Sequence, residues 1–462
     1  MDLKQFKTVE QLAAAIRTLI ISTSSISSTT YNVKHYGATG DGATNDSAAI
    51  QACIDAAPDD SIIYFPDGDY KITTSLQVYG RDHLVFTGPG VIKPAGVIGW
   101  DVEDTAGSSC EENKWDGLKM VGDSGYAAVS FESKNATGVR HNFVIDCDFI
   151  EFKYGVRTVS GGTNQRKIIV RDNRFTVTDV ANSVGVLIES DDSEVKANII
   201  RGYETGIQID GKSNVVLGNH IFKSPSASTD VDIAVGRGLA TTDACAGLLI
   251  SENYLDGQPA DGYIVLDVRS ARGISIIGNT FRAESTGGPF ILFEVDSGNW
   301  NVQDITITGN IFRCADGTLD PSITFLTDAT PSSVDTDESE HFHMRWNTWK
   351  SAAPYCTGDE IRQVGTFADP YVSNPMLGRL LELTLTADVT ISDPANPVTG
   401  GIGNQLTYLF IQDGTGGWDV TWNGVFKNGW VDTGNTAGLR STITFEWDGT
   451  NWNQVGGQSP YA

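Results

Sequence analysis

The sequence predicts an all-β protein: a parallel β-solenoid with a helix at its N-terminal end, followed by a small antiparallel β-sandwich. Three observations carry this. A short motif centred on Asn recurs through the middle of the chain. Glycine supplies 50 of 462 residues, about 11% against roughly 7% in an average protein, which favours turn-rich β structure. Beyond residue 375 brief apolar–polar alternations are broken by turn dipeptides, as in short antiparallel strands.

The first element is residues 1–30, a helical neck and linker. Val9, Leu12, Ile16 and Leu19 form one apolar stripe, too short to hold alone. It either packs on the solenoid after it or forms a short parallel oligomerisation neck. Ser22–Thr30 is the Ser/Thr-rich linker. The N-terminus lacks a basic region before its apolar stretch, which Arg17 interrupts, so no signal peptide or membrane span is expected.

Residues 31–375 form the solenoid. Gly37, Gly40 and Gly42 make a tight loop. Asp46 is then the expected N-cap of a helix whose Ile50, Cys53, Ile54 and Ala57 share one face. A strand comes next at Ile62–Phe65, ended by Pro66-Asp-Gly. Over residues 31–75 the chain closely resembles the N-terminal signature of the pectate-lyase-like β-helix superfamily, which includes polygalacturonase relatives and many bacteriophage tailspikes. The resemblance implies a right-handed parallel β-helix whose open end this helix caps, with Asp41 and Asp46 structural.

The repeats support a solenoid independently. Asn173, Asn198, Asn219, Asn253, Asn279, Asn310 and Asn347 each follow β-branched or apolar residues and precede an apolar residue two positions on. Cys147 takes the same place one coil earlier. Intervals of roughly 21–37 residues mark a solenoid in which each coil buries its inner face only against its neighbours. The Asn side chains are expected to stack at one corner and bond the turn backbone. Longer intervals hold insertions around Lys223–Asp232, Ala283–Gly288 and Asp328–Glu340, the last a solvated acidic loop.

Residues 376–462 form the sandwich, with Asp413-Gly, Asn423-Gly and Asp448-Gly as its turns and Trp418, Trp422, Trp430, Trp447 and Trp452 as core or interface aromatics. Gln412–Trp418 and Thr444–Trp452 resemble a C-terminal module of phage tail proteins. Trimerisation or carbohydrate binding is its expected role.

Composition narrows the function. A net charge of −26 excludes a nucleic-acid binder, which needs a dense Lys/Arg face, and disfavours anionic membranes. Six scattered cysteines without CxxC spacing read as buried thiols, not a disulfide framework or zinc site. His341 and His343 share a strand face but lack a third ligand. No metal and no cofactor are expected.

A solenoid offers a long groove suited to a polymer, and acids recur at one strand position. Glu189, Asp210, Asp267 and Glu294 each lie about 12–16 residues beyond a repeat Asn, and Asp232 lies in the intervening coil. With coils about 4.8 Å apart, Glu189 and Asp210 fall near 5 Å and Asp210 and Asp267 roughly 10 Å apart. Retaining glycosidases need carboxyls ~5–5.5 Å apart and inverting ones ~6.5–9.5 Å, so both mechanisms stay open. Stacked like charges also raise one pKa and keep a proton available. Glu189, Asp210, Asp267, Asp232 and Glu294 are the catalytic candidates. Arg157, Arg237, Asp191 and Tyr263 are the substrate-binding candidates.

The paired Asp and Gly-His-Gly set of polygalacturonases is absent, as is a recognisable calcium-dependent lyase pattern. Beyond this, the resemblance implies a phage tailspike depolymerase: an endo-glycosidase cleaving a bacterial capsule or O-antigen polysaccharide. It also implies a homotrimer bound to tail or baseplate proteins, made in the bacterial cytoplasm and acting at the host surface. A lyase acting on a uronate polymer and a non-catalytic receptor-binding spike are the competing readings.

Overall fold

The computed structural model describes residues 29–159, 164–178, 180–222, 231–236, 245–257, 262–267, 273–283, 291–294, 305–314, 323–325, 342–345, 348–350, 362–365, 371–372, 380–392, 405–427, 429, 436–448 and 450–461. The N-terminal neck, most of the three insertions, Asn347, His341 and Arg237 lie outside them.

Three long parallel sheets build the solenoid. The first has 12 strands from Thr30–Asn32 to Phe342–Arg345, and the second 12 strands from Asp41–Asn45 to Thr348–Lys350. The third has 10 strands from Leu76–Tyr79 to Ile323–Phe325. A complete coil contributes one strand to each sheet, and the third sheet has two fewer described strands than the others. Inward positions stack in register: Val144, Val170, Val195, Val216, Ile250 and Ile276 in the first sheet, and Val156, Val186, Ile207, Ile233 and Ile264 in the third. All are buried. β-branched side chains suit a pleated wall, and burying each stabilises by about 1.5–3 kcal/mol.

The Asn residues form the expected ladder. Asn173 Oδ1 accepts from the Cys147 amide, and the same bond recurs from Asn173 to Asn198, Asn219, Asn253, Asn279 and Asn310, at 2.9–3.0 Å. Cys147 thus holds the ladder place its spacing predicts. Each Asn amide also donates to a first-sheet carbonyl, Val170 for Asn198. The residue before each ladder position is left-handed, from Asp146 (φ 55°) through Ala197 (φ 54°) to Gly309 (φ 66°). This recurrent turn is where part of the glycine excess goes. A second, shorter ladder links Leu84, Asn113 and Asn142; with only two Asn it makes no period in the sequence.

The helix Ser47–Ala56 stands where the first coil would place a third-sheet strand. It buries Ile50, Cys53 and Ile54. Gln51 accepts from the Gln77 amide at 2.8 Å and donates to the Gln77 carbonyl at 3.0 Å, occupying backbone groups of the outermost third-sheet strand. An unpaired sheet edge invites association; here a side chain closes it. Asp46 precedes the helix but makes no side-chain cap bond. Its backbone is helical, and its carboxylate is drawn away to the Thr39 and Gly40 amides at 2.6 and 3.1 Å. Asp41 likewise holds its own turn, accepting from Ala43 and Thr44. Cys53, Cys110 and Cys147 are free, buried thiols, and Cys245 is buried as well.

The C-terminal unit has its own core, which takes Leu381, Tyr408, Ile443 and Phe445 from one sheet and Val389 and Ile391 from another, with Trp418, Trp422, Trp447 and Trp452 packed in. Its layering is that of a sandwich, but its strand directions are mixed. Gln405–Gln412, Arg440–Trp447 and Trp452–Tyr461 run antiparallel. Leu380–Leu385 pairs parallel with Gln405–Gln412, and Val389–Ser392 with Val420–Trp422. The reason is the turns. Asp413 accepts from the amides of Thr415 and Gly416 and from Trp418 Nε1, and the chain crosses to the other sheet there. Among the described residues, the Asp448 turn doubles back as a hairpin.

Candidate active site on the third sheet

The outward side of the third sheet carries two rows set by strand register. One reads Gln77, Asp101, Ser130, Arg157, Leu187, Gln208 and Ala234. The other reads Tyr79, Glu103, Glu132 and Val159. It continues through Glu189 and Asp210, which directly follow the paired residues Ile188 and Ile209. The Asp210 amide donates to the Ile188 carbonyl at 2.7 Å and the Gly236 amide to Ile209 at 2.9 Å, so these residues occupy successive rungs. Asp267 follows Leu266, the partner of Val235, and itself pairs with Glu294. The acid row deduced from the sequence therefore exists along the backbone, with Gly236 between Asp210 and Asp267.

Among the side chains described on this row, Asp210 is the most perturbed carboxyl. Its Oδ2 accepts from Gln208 Nε2 at 2.7 Å. Its Oδ1 is buried, with no hydrogen-bond partner among the described residues. Burial pushes the carboxyl up to about 7 and the charge of Glu189 adds to this, while the Gln208 amide and the Gly236 backbone pull the other way. Desolvation and a like charge are the two effects that keep an acid protonated at neutral pH. Glu189 is half-buried. Its rung is fixed by the buried Thr158, whose Oγ1 accepts from the Glu189 amide at 2.6 Å and from Ser190 at 3.2 Å.

Three candidates lie elsewhere. Asp232 and Tyr263 share a row with Gly185 and Gly206 near the start of the strands. A Cβ at Gly206 would meet Ile221 Cγ2 at 2.8 Å and the Asp232 carbonyl at 2.6 Å, so this row abuts the core of the second sheet. Asp232 and Tyr263 are both fully buried. The Tyr263 hydroxyl donates to the Arg282 carbonyl at 2.9 Å, and its ring lies edge-on to Phe281. Asp191 is exposed and holds a turn, accepting from the Lys212 amide at 2.8 Å.

Arg157 does face the groove row. Its Nε donates to Ser130 Oγ at 2.9 Å, and its guanidinium lies 5.4 Å from the centre of the Tyr154 ring. A cluster on the earlier coils escapes the sequence pattern. Tyr79 donates to Asp101 at 2.7 Å, and Lys134 pairs with both Glu103 and Glu132. Burial raises Glu103 even though Lys134 opposes it. Glu103 and Glu132 share the row of Glu189, but the earliest coils lack the repeat Asn from which that row is counted.

Residues 30–311 match the family model described as rhamnogalacturonase A/epimerase, pectate lyase-like. Residues 369–452 match one described as a phage tail fibre C-terminal domain. No curated protein sequence matches the chain. Among solved structures, the A-module of mannuronan C-5 epimerase AlgE6 from Azotobacter vinelandii is 18% identical, with a TM-score of 0.42 over 62% of this chain and 87% of that one. ORF18 of Geobacillus virus E2 is 17% identical, with a TM-score of 0.44 over 98% and 80%. The Dettilon tailspike protein is 12% identical, with a TM-score of 0.36 over 93% and 79%. The family match spans the described coils that carry the acid row, and the chain belongs to the pectate-lyase-like rhamnogalacturonase A/epimerase family.

Proposed function

We propose that the protein is a tailspike depolymerase, an endo-glycosidase that hydrolyses a bacterial capsule or O-antigen polysaccharide along its third sheet. The observation that carries this reading is the raised carboxyl of Asp210 on the rung next to Glu189. Asp210, its carboxyl raised to about 7, keeps its proton on the acid side of neutrality and serves as general acid, giving that proton to the leaving glycosidic oxygen. Gln208 Nε2 engages Oδ2 and orients the carboxyl. Glu189, on the rung beside it, acts on the sugar carbon directly or through a water. One rung is about 4.8 Å, within reach of the ~5–5.5 Å carboxyl separation of a retaining pair. If Asp267 is the partner instead, two rungs away, the product anomer is inverted, and product stereochemistry reads the difference.

The match of residues 369–452 to a phage tail fibre domain supports a place on the virion tail, attached to tail or baseplate proteins. We assign the spike as a homotrimer made in the bacterial cytoplasm and acting at the host surface. The test is product analysis after incubation with purified surface polysaccharide. New reducing ends without unsaturated uronate support hydrolysis. An ultraviolet-absorbing unsaturated end, or intact polymer, contradicts it.

A further inference from the structure

Arg157 stands on the outward row of the third sheet, two residues short of the Glu189 level along its strand, and Lys153 directly precedes that strand. Lys134, which follows the neighbouring strand, is consumed by Glu103 and Glu132. Arg157 is different. It stands in a row with Ser130 and Leu187, one rung before the level of Glu189. No carboxylate among the described residues lies within ion-pair distance of Arg157 or Lys153, although acids flank the row. Both side chains gather on one aromatic ring: Lys153 Nζ lies 5.7 Å and the Arg157 guanidinium 5.4 Å from the Tyr154 centroid. Ser130 Oγ holds Nε, which leaves the two terminal nitrogens of the fork unassigned. Tyr126, whose carbonyl accepts from the Lys153 and Tyr154 amides, is 45% exposed on the preceding coil.

A guanidinium fixed by stacking and one hydrogen bond is pre-organised to bind a planar anion through two parallel bonds. An exposed aromatic beside it offers an apolar face for a sugar ring. We propose that Arg157, with Lys153 and Tyr154, is a carboxylate seat, and that the polymer carries an acidic sugar in the position next to the cleaved bond. This rests on the polysaccharide reading above for the polymer, and on the seat's own geometry for the charge. Arg157 lies within one to two rungs of Glu189 and Gln208, roughly 5–10 Å along the axis. The seat also answers a difficulty in the net charge of −26: an anionic chain approaching this face needs a local cation.

The test measures binding of the full-length protein to a panel of immobilised, purified capsular polysaccharides. The panel holds acidic and neutral members, with each acidic one also in carboxyl-reduced form. The expected result is binding to an acidic member that weakens at least ten-fold on carboxyl reduction. It should weaken similarly in R157Q, less in R157K, with melting temperature unchanged. K153Q supplies a second reading if R157Q folds poorly. Binding only to neutral polymers, no binding to any acidic member, indifference to carboxyl reduction, or undiminished binding by R157Q overturns the seat. Cleavage is followed in the same samples. A neutral polymer that is hydrolysed sinks the seat and leaves the hydrolase standing; an acidic polymer bound in the Arg157-dependent way but never cleaved does the reverse.

Discussion

Gln208 Nε2 donates to Asp210 Oδ2 across 2.7 Å, and both residues sit on the outward side of one rung. The bond stabilises the charged carboxylate, whereas burial and Glu189 oppose charge, and the carboxyl ends near 7. The pH behaviour of the protein follows from that balance.

Cleavage should fall as pH rises through about 7, because Asp210 then loses the proton it donates. Gln208→Leu removes a contact that favours ionisation. A hydrogen bond to a charged group contributes roughly 1.5–3 kcal/mol, so the alkaline limb should move up by about one to two pH units. A pH–rate profile of both proteins checks this, and a limb that moves down contradicts the assignment.

Stability should carry the same signature. The folded carboxyl of Asp210 lies above its ordinary value, so its contribution is fully present below about pH 4 and is lost as pH rises toward about 7. Asp210→Asn cannot ionise. Its unfolding free energy should gain on the wild type progressively across that window and hold the gain above it, by an amount on the order of a few kcal/mol. Calorimetry at a series of pH values tests the sign.

Asn198→Ala should destabilise the solenoid by about 1–3 kcal/mol. It removes the acceptor for the Asn173 amide and the donor that Asn198 Nδ2 now gives the Val170 carbonyl, both in buried surroundings. Thermal melts with the polymer absent measure it.

Ala197→Gly should act in the opposite direction. Ala197 is exposed and left-handed at φ 54°, a conformation that costs a residue with Cβ roughly 1–2 kcal/mol. The gain in melting temperature should be modest, since glycine loses more entropy on folding. A loss would mean that the turn is not strained.

The ladder and the acid row are legible in the sequence because each recurs once per coil, and a period survives insertions. Cys147 fits the ladder although it is not Asn, because its backbone, not its side chain, donates there. Counting alternation from the strand centre puts Asp232 and Tyr263 in the groove, yet both are buried. The glycines at their level show how tightly that row meets the second sheet. Asp46 sits where a cap should, but tertiary contact with Thr39 and Gly40 claims its carboxylate. Strand direction in the C-terminal unit depends on whether a turn crosses between sheets, which turn dipeptides do not encode. Gln51 closing the strand edge at Gln77 carries no local pattern at all.

The most direct measurement compares reducing-end release from the host's surface polysaccharide by wild-type and Asp210→Asn protein, with polymer binding measured in parallel. Loss of general acid catalysis should lower release by roughly 10²–10⁴-fold while binding persists. Release by Asp210→Asn at the wild-type rate would contradict the assignment of Asp210 as the acid.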